Sequence, residues 1–158
     1  VSFKNPSHHR SRLYPLRPCL CVSIAVFRSG RVLLARRAAP PYAGAFSLPG
    51  GLVETGETLA EAALRELREE VAVEARIIGF NQHVELINRD GNGKIRDHYV
   101  VVSFVAEWIL GDGTPGPEAS EIVWTDLSGL EELDCTPHVG AVVAAAAAIL
   151  AQTRGNAP

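Results

Sequence analysis

Residues 50–73 read GGLVETGETLAEAALRELREEVAV, and this stretch holds six of the chain's eighteen acidic residues: Glu54, Glu57, Glu61, Glu66, Glu69 and Glu70. Such crowding needs a cause. Thr58 followed three residues later by Glu61 is a capping box, Thr55-Gly56-Glu57 is a turn signal, and Leu59 to Val71 contains neither Pro nor Gly. The pattern predicts a helix over 59–71. At about 100° per residue, Ala60, Ala63, Leu64, Leu67 and Val71 form one apolar stripe that is expected to be buried. Glu66, Glu69 and Glu70 are assigned to the opposite face, with Glu66 and Glu70 about 6 Å apart along the axis.

Like charges stacked in this way repel by a few tenths of a kcal/mol, of which Arg65 and Arg68 offset a part. Two readings follow. The face is a solvated acidic surface, or it is a hard-cation site where oxygen ligands from adjacent turns hold Mg²⁺ or Mn²⁺ and phosphates fill the remaining positions. The preceding Leu48-Pro49-Gly50-Gly51 favours the second reading. As a loop with no stable element of its own, it can bring backbone amides and carbonyls close to a cation or phosphate, because glycine permits dihedrals that other residues resist.

With Gly51, Glu57, Arg65, Glu66, Leu67, Glu69, Glu70 and Val73, the segment resembles the Nudix box, G-x5-E-x7-R-E-U-x-E-E-x-G-U, where U is aliphatic. One position departs from it, since Ala72 stands where the pattern has its last glycine. The resemblance implies an α/β fold, an α/β/α sandwich with a mixed β-sheet between helices, over residues 19–152. Residues 1–18 then form a partly ordered N-terminal extension and 153–158 a C-terminal tail. It also implies a Mg²⁺-dependent pyrophosphohydrolase, with Mn²⁺ as a substitute. Glu66, Glu69 and Glu70, joined by the Gly50 carbonyl, are its implied metal ligands. Arg65 and Glu57 would orient these carboxylates, and Glu69 would double as general base, with Glu118 or Glu121 from a later loop as alternatives. The GGxVE form resembles the ADP-ribose pyrophosphatase-like branch, implying cleavage of ADP-ribose to AMP and ribose 5-phosphate. A MutT-type enzyme that releases pyrophosphate from a (d)NTP is the alternative. A non-catalytic nucleotide-binding module is disfavoured, because no box carboxylate is lost.

Length and charge fit this reading. A chain of 158 residues is one domain by size. Residues 1–53 carry Lys4, Arg10, Arg12, Arg17, Arg28, Arg31, Arg36 and Arg37 and no acid, whereas seven later basic residues face all eighteen acids. A basic half against an acidic helix suits a small anionic nucleotide bound through a cation. It is a weak case for nucleic acid, because two Trp, three Tyr and five Phe supply no stacking array. No run reaches the length of an apolar membrane span and no signal-peptide core is visible, so a cytoplasmic protein is expected. Cys19, Cys21 and Cys135 have neither disulfide nor zinc spacing and read as small hydrophobes.

Along the rest of the chain, residues 1–18 read as a tail, with His8 and His9 solvated or in contact with metal or substrate, and with residues 14–18 lying along the first strand. Strands are expected over Cys19–Phe27 and Arg31–Arg37 across a Ser29-Gly30 turn. Arg36 and Arg37 point to opposite faces; each makes a surface salt bridge or, by the family resemblance, one of them meets substrate phosphate. Phe46 reads as core, while Tyr42 is free to stack on a base. A strand over Val73–Asn81 precedes a polar segment and a turn at Arg89–Lys94, and Ile95–Trp108 is the most strand-like run. His98, at its entrance, is a structural histidine or a substrate contact. After a Gly/Pro loop over 109–120, a strand runs from Glu121 to Thr125. A final helix is expected from a Thr136 cap with Pro137 at its first position to about Gln152. It packs on the sheet, and both a monomer and a homodimer fit its alanine-rich face.

Overall fold

The structure, a computed structural model, describes residues 12–155. The readings of His8 and His9 lie outside that range. A seven-stranded mixed sheet forms the middle layer. Its strands are β1 (Cys19–Arg28), β2 (Arg31–Arg37), β3 (Phe46–Ser47), β4 (Gly50–Leu52), β5 (Glu74–Arg89), β6 (Ile95–Leu110) and β7 (Ala119–Thr125); its helices are α1 (Leu59–Val71), α2 (Leu127–Leu130) and α3 (Val139–Gly155). The main order is β3-β2-β1-β6-β5, with β4 beside β1 and β7 beside β2. Only β1 and β6 run parallel among these pairs.

The faces of the sheet bury separate cores. Val22, Ile24, Val26, Leu33, Ala35 and Ala106 pack toward Ala63, Leu67 and Val71 of α1. Ala25, Phe27, Val32, Leu34 and Val105 pack toward Val139, Val142, Val143, Ala146 and Leu150 of α3. Each β1 residue changes face from its neighbour, so one strand serves both layers. The expected α/β/α sandwich is present, and Phe46 belongs to the core at 2% exposure. All three cysteines are free.

Helix α1 begins as its capping box predicts, with the Glu61 N–H donating to Thr58 Oγ1 at 3.2 Å and the Thr58 N–H to Glu61 Oε2 at 2.7 Å. Its buried face differs from the predicted stripe. Ala62 is fully buried beside Ala63, Leu67 and Val71, whereas Ala60 and Leu64 are only partly covered. The cause is β4, which lies over the flank carrying Ala62, Glu66 and Glu70. Glu66 and Glu70 therefore sit at the edge of the buried stripe, and Glu69 alone of the three faces solvent, with its side chain 65% exposed.

The glycine pair does form an element, contrary to the sequence reading. β4 pairs antiparallel with β1, with Cys21 opposite Leu52, Val22 opposite Gly51 and Ser23 opposite Gly50. At position 50 a Cβ would stand 2.1 Å from the Val22 carbonyl oxygen, so only glycine allows the pairing.

Other boundaries also moved for tertiary reasons. β5 continues past Asn81 to Arg89 because β6 pairs along its length, with register shifts at Ile77/Gly79 and Phe80/Gln82. The turn after it is as expected, Asp90 Oδ1 accepting from the Asn92 and Lys94 N–H groups. Tyr14 docks on this turn, its N–H reaching the Arg96 carbonyl at 2.7 Å and its hydroxyl Asp90 Oδ2 at 3.0 Å. β7 starts at Ala119. Short α2 was not foreseen, although Asp126 caps it by accepting from the Gly129 N–H at 2.8 Å. α3 starts at Val139, beyond the predicted Thr136 cap, because His138 takes a left-handed backbone with φ 75 that a right-handed helix cannot include. It runs to Gly155, past Gln152.

Ala72, at the family glycine position, ends α1 in the left-handed region with φ 54 and ψ 40. A Cβ there costs roughly 1–2 kcal/mol, part of which glycine's greater unfolded freedom cancels. Ala72→Gly is expected to stabilise the fold by about 1 kcal/mol, raising the melting temperature by about 2–4 °C in calorimetry. An unchanged or lower melting temperature would remove strain at this cap as the explanation.

Candidate active site

The three acidic positions of the helix are placed by β4 and by one arginine. Hydrogen bonds from β4 and its flanks to β1 fall on Pro49, which accepts from the Ile24 N–H at 3.0 Å, and on Val53, whose N–H reaches the Leu20 carbonyl at 3.1 Å. Gly50 and Leu52, at the alternate register positions, turn their backbone groups toward α1. The Gly50 N–H accordingly donates to Glu70 Oε2 at 3.0 Å, and the Leu52 carbonyl accepts from Arg65 Nη2 at 3.0 Å. In an extended strand a residue's N–H and C=O share a side, so the Gly50 carbonyl also faces the helix.

Arg65 gathers the remaining groups. Its Nε and Nη2 form a two-point pair with Glu57 at 2.9 and 2.6 Å, and its Nη1 donates to Glu66 Oε1 at 2.8 Å and lies 3.4 Å from Glu69 Oε2. Glu57 Oε1 also accepts from the Glu54 N–H at 2.7 Å. These bonds, that from Arg65 first, hold the Glu57 carboxyl at about 2, below the usual carboxylate range. The Arg65 guanidinium is shifted further upward, chiefly by Glu57. Gly51 makes the near approach possible, since a Cβ there would lie 2.5 Å from Glu66 Oε1.

Burial under β4 dominates the other two carboxylates. It raises Glu66 despite Arg65, with Glu69 and Glu118 adding to the rise. Glu70 is pushed up to about 7, mainly by burial; the Gly50 N–H opposes, Glu66 and Glu118 raise it further, and Arg37 opposes. Paired carboxylates that are costly to ionise in place form a site with a deficit of positive charge.

β7 separates residues that the sequence left paired as alternatives. Arg36 stands directly opposite Glu121 in the β2–β7 ladder, its Nε 3.0 Å from Glu121 Oε2, and its guanidinium lies 4.7 Å from the Phe46 ring centre. They occupy each other at the surface. A bulge between Arg36 and Arg37 breaks the alternation there. Arg37 and Glu118 thereby come to the side of Glu70, where both act on its charge. Arg37 Nε also donates to the Pro41 carbonyl at 2.8 Å, and the Glu118 carbonyl accepts from the Ala38 N–H at 3.1 Å. Tyr42, next to Pro41, is 49% exposed. His98 stands opposite Ile87 at the start of β6, and no hydrogen bond or ion pair among the described residues joins it to the carboxylates.

No three His, Cys, Asp or Glu side chains among the described residues converge as they stand on a point that holds a metal ion. Their present partners give the reason: Arg65 takes Glu66, the Gly50 N–H takes Glu70, and Glu69 extends into solvent. The residues nevertheless fit a hard divalent cation. All the donors are oxygen, two of the carboxylates are half-buried with their ionised forms undercompensated, and Gly51 leaves open the space that a Cβ would fill.

A mixed sheet that lays a glycine strand over a capped, carboxylate-bearing helix defines a class of oxygen-donor site suited to a divalent cation and phosphate. The chain belongs to the NUDIX family, whose domain matches residues 17–146. Over 122 residues it is 34% identical to the ADP-ribose pyrophosphatase of Methanocaldococcus jannaschii, covering 77% of this chain and 69% of that protein. The MutT NUDIX hydrolase of Burkholderia pseudomallei superposes with a TM-score of 0.69 at 26% identity, over 81% of this chain and 97% of that one. For the NUDIX domain of Shewanella oneidensis NrtR, in complex with ADP ribose, the TM-score is 0.71 over 85% of this chain and 89% of that one; at 24% identity it shows the fold alone. The protein is a Nudix-type pyrophosphohydrolase for a nucleotide-linked substrate. No helix among the described residues is long and apolar enough to cross a membrane.

Two outcomes follow from the burial of these groups. A Glu70 that holds its proton to about 7 in the native state and to about 4.5 when unfolded makes the metal-free protein lose stability as pH rises through that window, by up to about 3 kcal/mol, and level out above it. Denaturant titrations across the window check this, and added Mg²⁺ at pH 8 should restore the loss; a flat profile would refute it. Gly51→Ala is expected to keep the fold and lower kcat/KM at least about 10-fold by displacing Glu66, in steady-state assays alongside circular dichroism.

Proposed function

We propose that this protein hydrolyses the diphosphate of ADP-ribose to AMP and ribose 5-phosphate with Mg²⁺, for which Mn²⁺ can substitute. The observation that carries the reading is the juxtaposition of half-buried Glu66 and Glu70 under a glycine strand, with Glu118 on the loop that precedes β7 at their side. The similarity to the Methanocaldococcus jannaschii ADP-ribose pyrophosphatase supports the choice of substrate.

Glu66, Glu69 and Glu70 would hold the cation, with the Gly50 carbonyl as a further oxygen. A bound divalent cation neutralises diphosphate oxygens and lowers the pKa of bound water. The protein's own part is positioning. Arg65, fixed by Glu57 and the Leu52 carbonyl, orients Glu66 and Glu69 and limits their motion. Arg37 offers a guanidinium to substrate phosphate on the side of Glu70, and Tyr42 offers an exposed ring to the base. We assign the proton-accepting role to Glu118 in preference to Glu69. Arg65 draws on Glu69, whereas no ion pair engages Glu118 among the described residues, and a free carboxylate is the better acceptor. Glu121, paired with Arg36, has no part in this scheme, and neither does His98.

The alternative is (d)NTP hydrolysis with release of pyrophosphate, favoured by the likeness to a MutT NUDIX hydrolase. The same carboxylates serve either substrate, because both present a phosphoanhydride. The charge pattern supports a small nucleotide rather than nucleic acid as partner, and a cytoplasmic monomer or homodimer is part of the proposal.

Incubation with Mg²⁺ and a panel of ADP-ribose, NADH, diadenosine polyphosphates and natural and oxidised dNTPs separates the readings. AMP with ribose 5-phosphate is expected; a nucleoside monophosphate with pyrophosphate as the main products would favour the alternative. Glu70→Gln and Glu69→Gln are each expected to reduce kcat at least about 100-fold. Wild-type rates in both would sink the ligand assignment.

A further inference from the structure

The segment 111–118 joins β6 to β7 and carries Glu118, yet it contains three glycines and two prolines and no element of its own. Two separate sets of contacts hold it. At its far end, Trp124 Nε1 donates to the Gly111-adjacent Asp112 carbonyl at 2.9 Å and Trp108 Nε1 to the Gly111 carbonyl at 2.6 Å. Arg28, the last residue of β1, lies with its guanidinium carbon 4.1 Å from the Trp108 ring centre and 5.9 Å from that of Trp124, and donates from Nη1 to Asp112 Oδ1 at 2.7 Å. The Asp112 side chain is 91% exposed, so the ion pair alone is weak. Stacking on indole is what gives the guanidinium a defined position.

At its near end the loop closes the last turn of α1. The Thr114 N–H donates to the Val71 carbonyl at 2.8 Å and the Gly116 N–H to the Glu70 carbonyl at 2.7 Å, satisfying two carbonyls that a helix end leaves without partners. The fit is tight: a Cβ at Gly116 would stand 2.4 Å from the Glu69 carbonyl oxygen, and one at Gly111 2.5 Å from that of Ala72. The loop that bears Glu118 is thus bonded to the backbone of the residues that bear the site carboxylates.

We infer that Arg28 is a positioning residue for hydrolysis: stacked on Trp108 and paired with Asp112, it sets the start of the 111–118 loop so that Thr114 and Gly116 dock on α1 and Glu118 stands beside Glu66 and Glu70. Arg28 touches none of the site carboxylates and acts through the loop alone. The inference rests on Glu118 serving the reaction.

A double-mutant cycle on the full chain, with ADP-ribose and Mg²⁺, tests it. Arg28→Ala is expected to lower kcat roughly 10-fold to 100-fold with KM within about 2-fold, since displacement of a group by about 1 Å is enough for such a loss. Arg28→Lys, which keeps the charge, should recover part of the rate. In a Glu118→Gln background Arg28→Ala should cost little further, because the loop then has no carboxylate to misplace. Trp124→Phe, which keeps an aromatic ring and removes the N–H that holds the Asp112 carbonyl, loosens the same end of the loop and should behave likewise, which keeps the test available if Arg28→Ala fails to fold. Wild-type kcat in Arg28→Ala, or equal losses in both backgrounds, overturns the inference. Wild-type kcat in Glu118→Gln instead overturns the assignment of Glu118 on which it rests.

Discussion

Arg65 ties three parts of the chain together. Its guanidinium reaches Glu57 in the turn before the helix, the Leu52 carbonyl of β4, and Glu66 and Glu69 one and four residues onward in α1. A guanidinium with a side chain only 20% exposed is tolerable when its donors are filled, and filling them requires that the turn, the strand and the helix hold one relative position. Loss of any partner would leave charge uncompensated in the half-buried layer, where such loss is more costly than at the surface. The site thus inherits its rigidity from the same bonds that orient its carboxylates.

Glycine at positions 50 and 51 lets β4 lie against β1 on one side and against Glu66 on the other. The result is a polar seam at the edge of a fully apolar layer, with Ala62, Ala63 and Leu67 buried one turn or less away. Burial that secures the helix to the sheet also makes Glu66 and Glu70 hard to ionise.

The β2–β7 ladder assigns the remaining charges. Direct opposition of Arg36 and Glu121 neutralises one pair at the surface, and the bulge that follows turns Arg37 toward the carboxylates. Glu118 arrives there on a loop fixed at one end by indoles and at the other by the carbonyls of α1. The selection among chemically equivalent residues is made by register.

The amino-acid sequence by itself determined the helix with its N-terminal cap and the type of chemistry, and nominated the site residues, because these depend on spacing within a few turns: Thr58 with Glu61, and Arg65 with Glu66, Glu69 and Glu70. The core aromatic Phe46 and the hairpin turn at Asp90 were legible for the same local reason. Tertiary structure alone decided which carboxylates are half-buried, since that depends on β4 covering the flank of α1 rather than on the periodicity of α1 itself. It likewise set Arg36 against Glu121 and brought Arg37 and Glu118 to the side of Glu70. In each case the deciding contact joins residues far apart along the chain, and no local pattern encodes which strand will lie beside which.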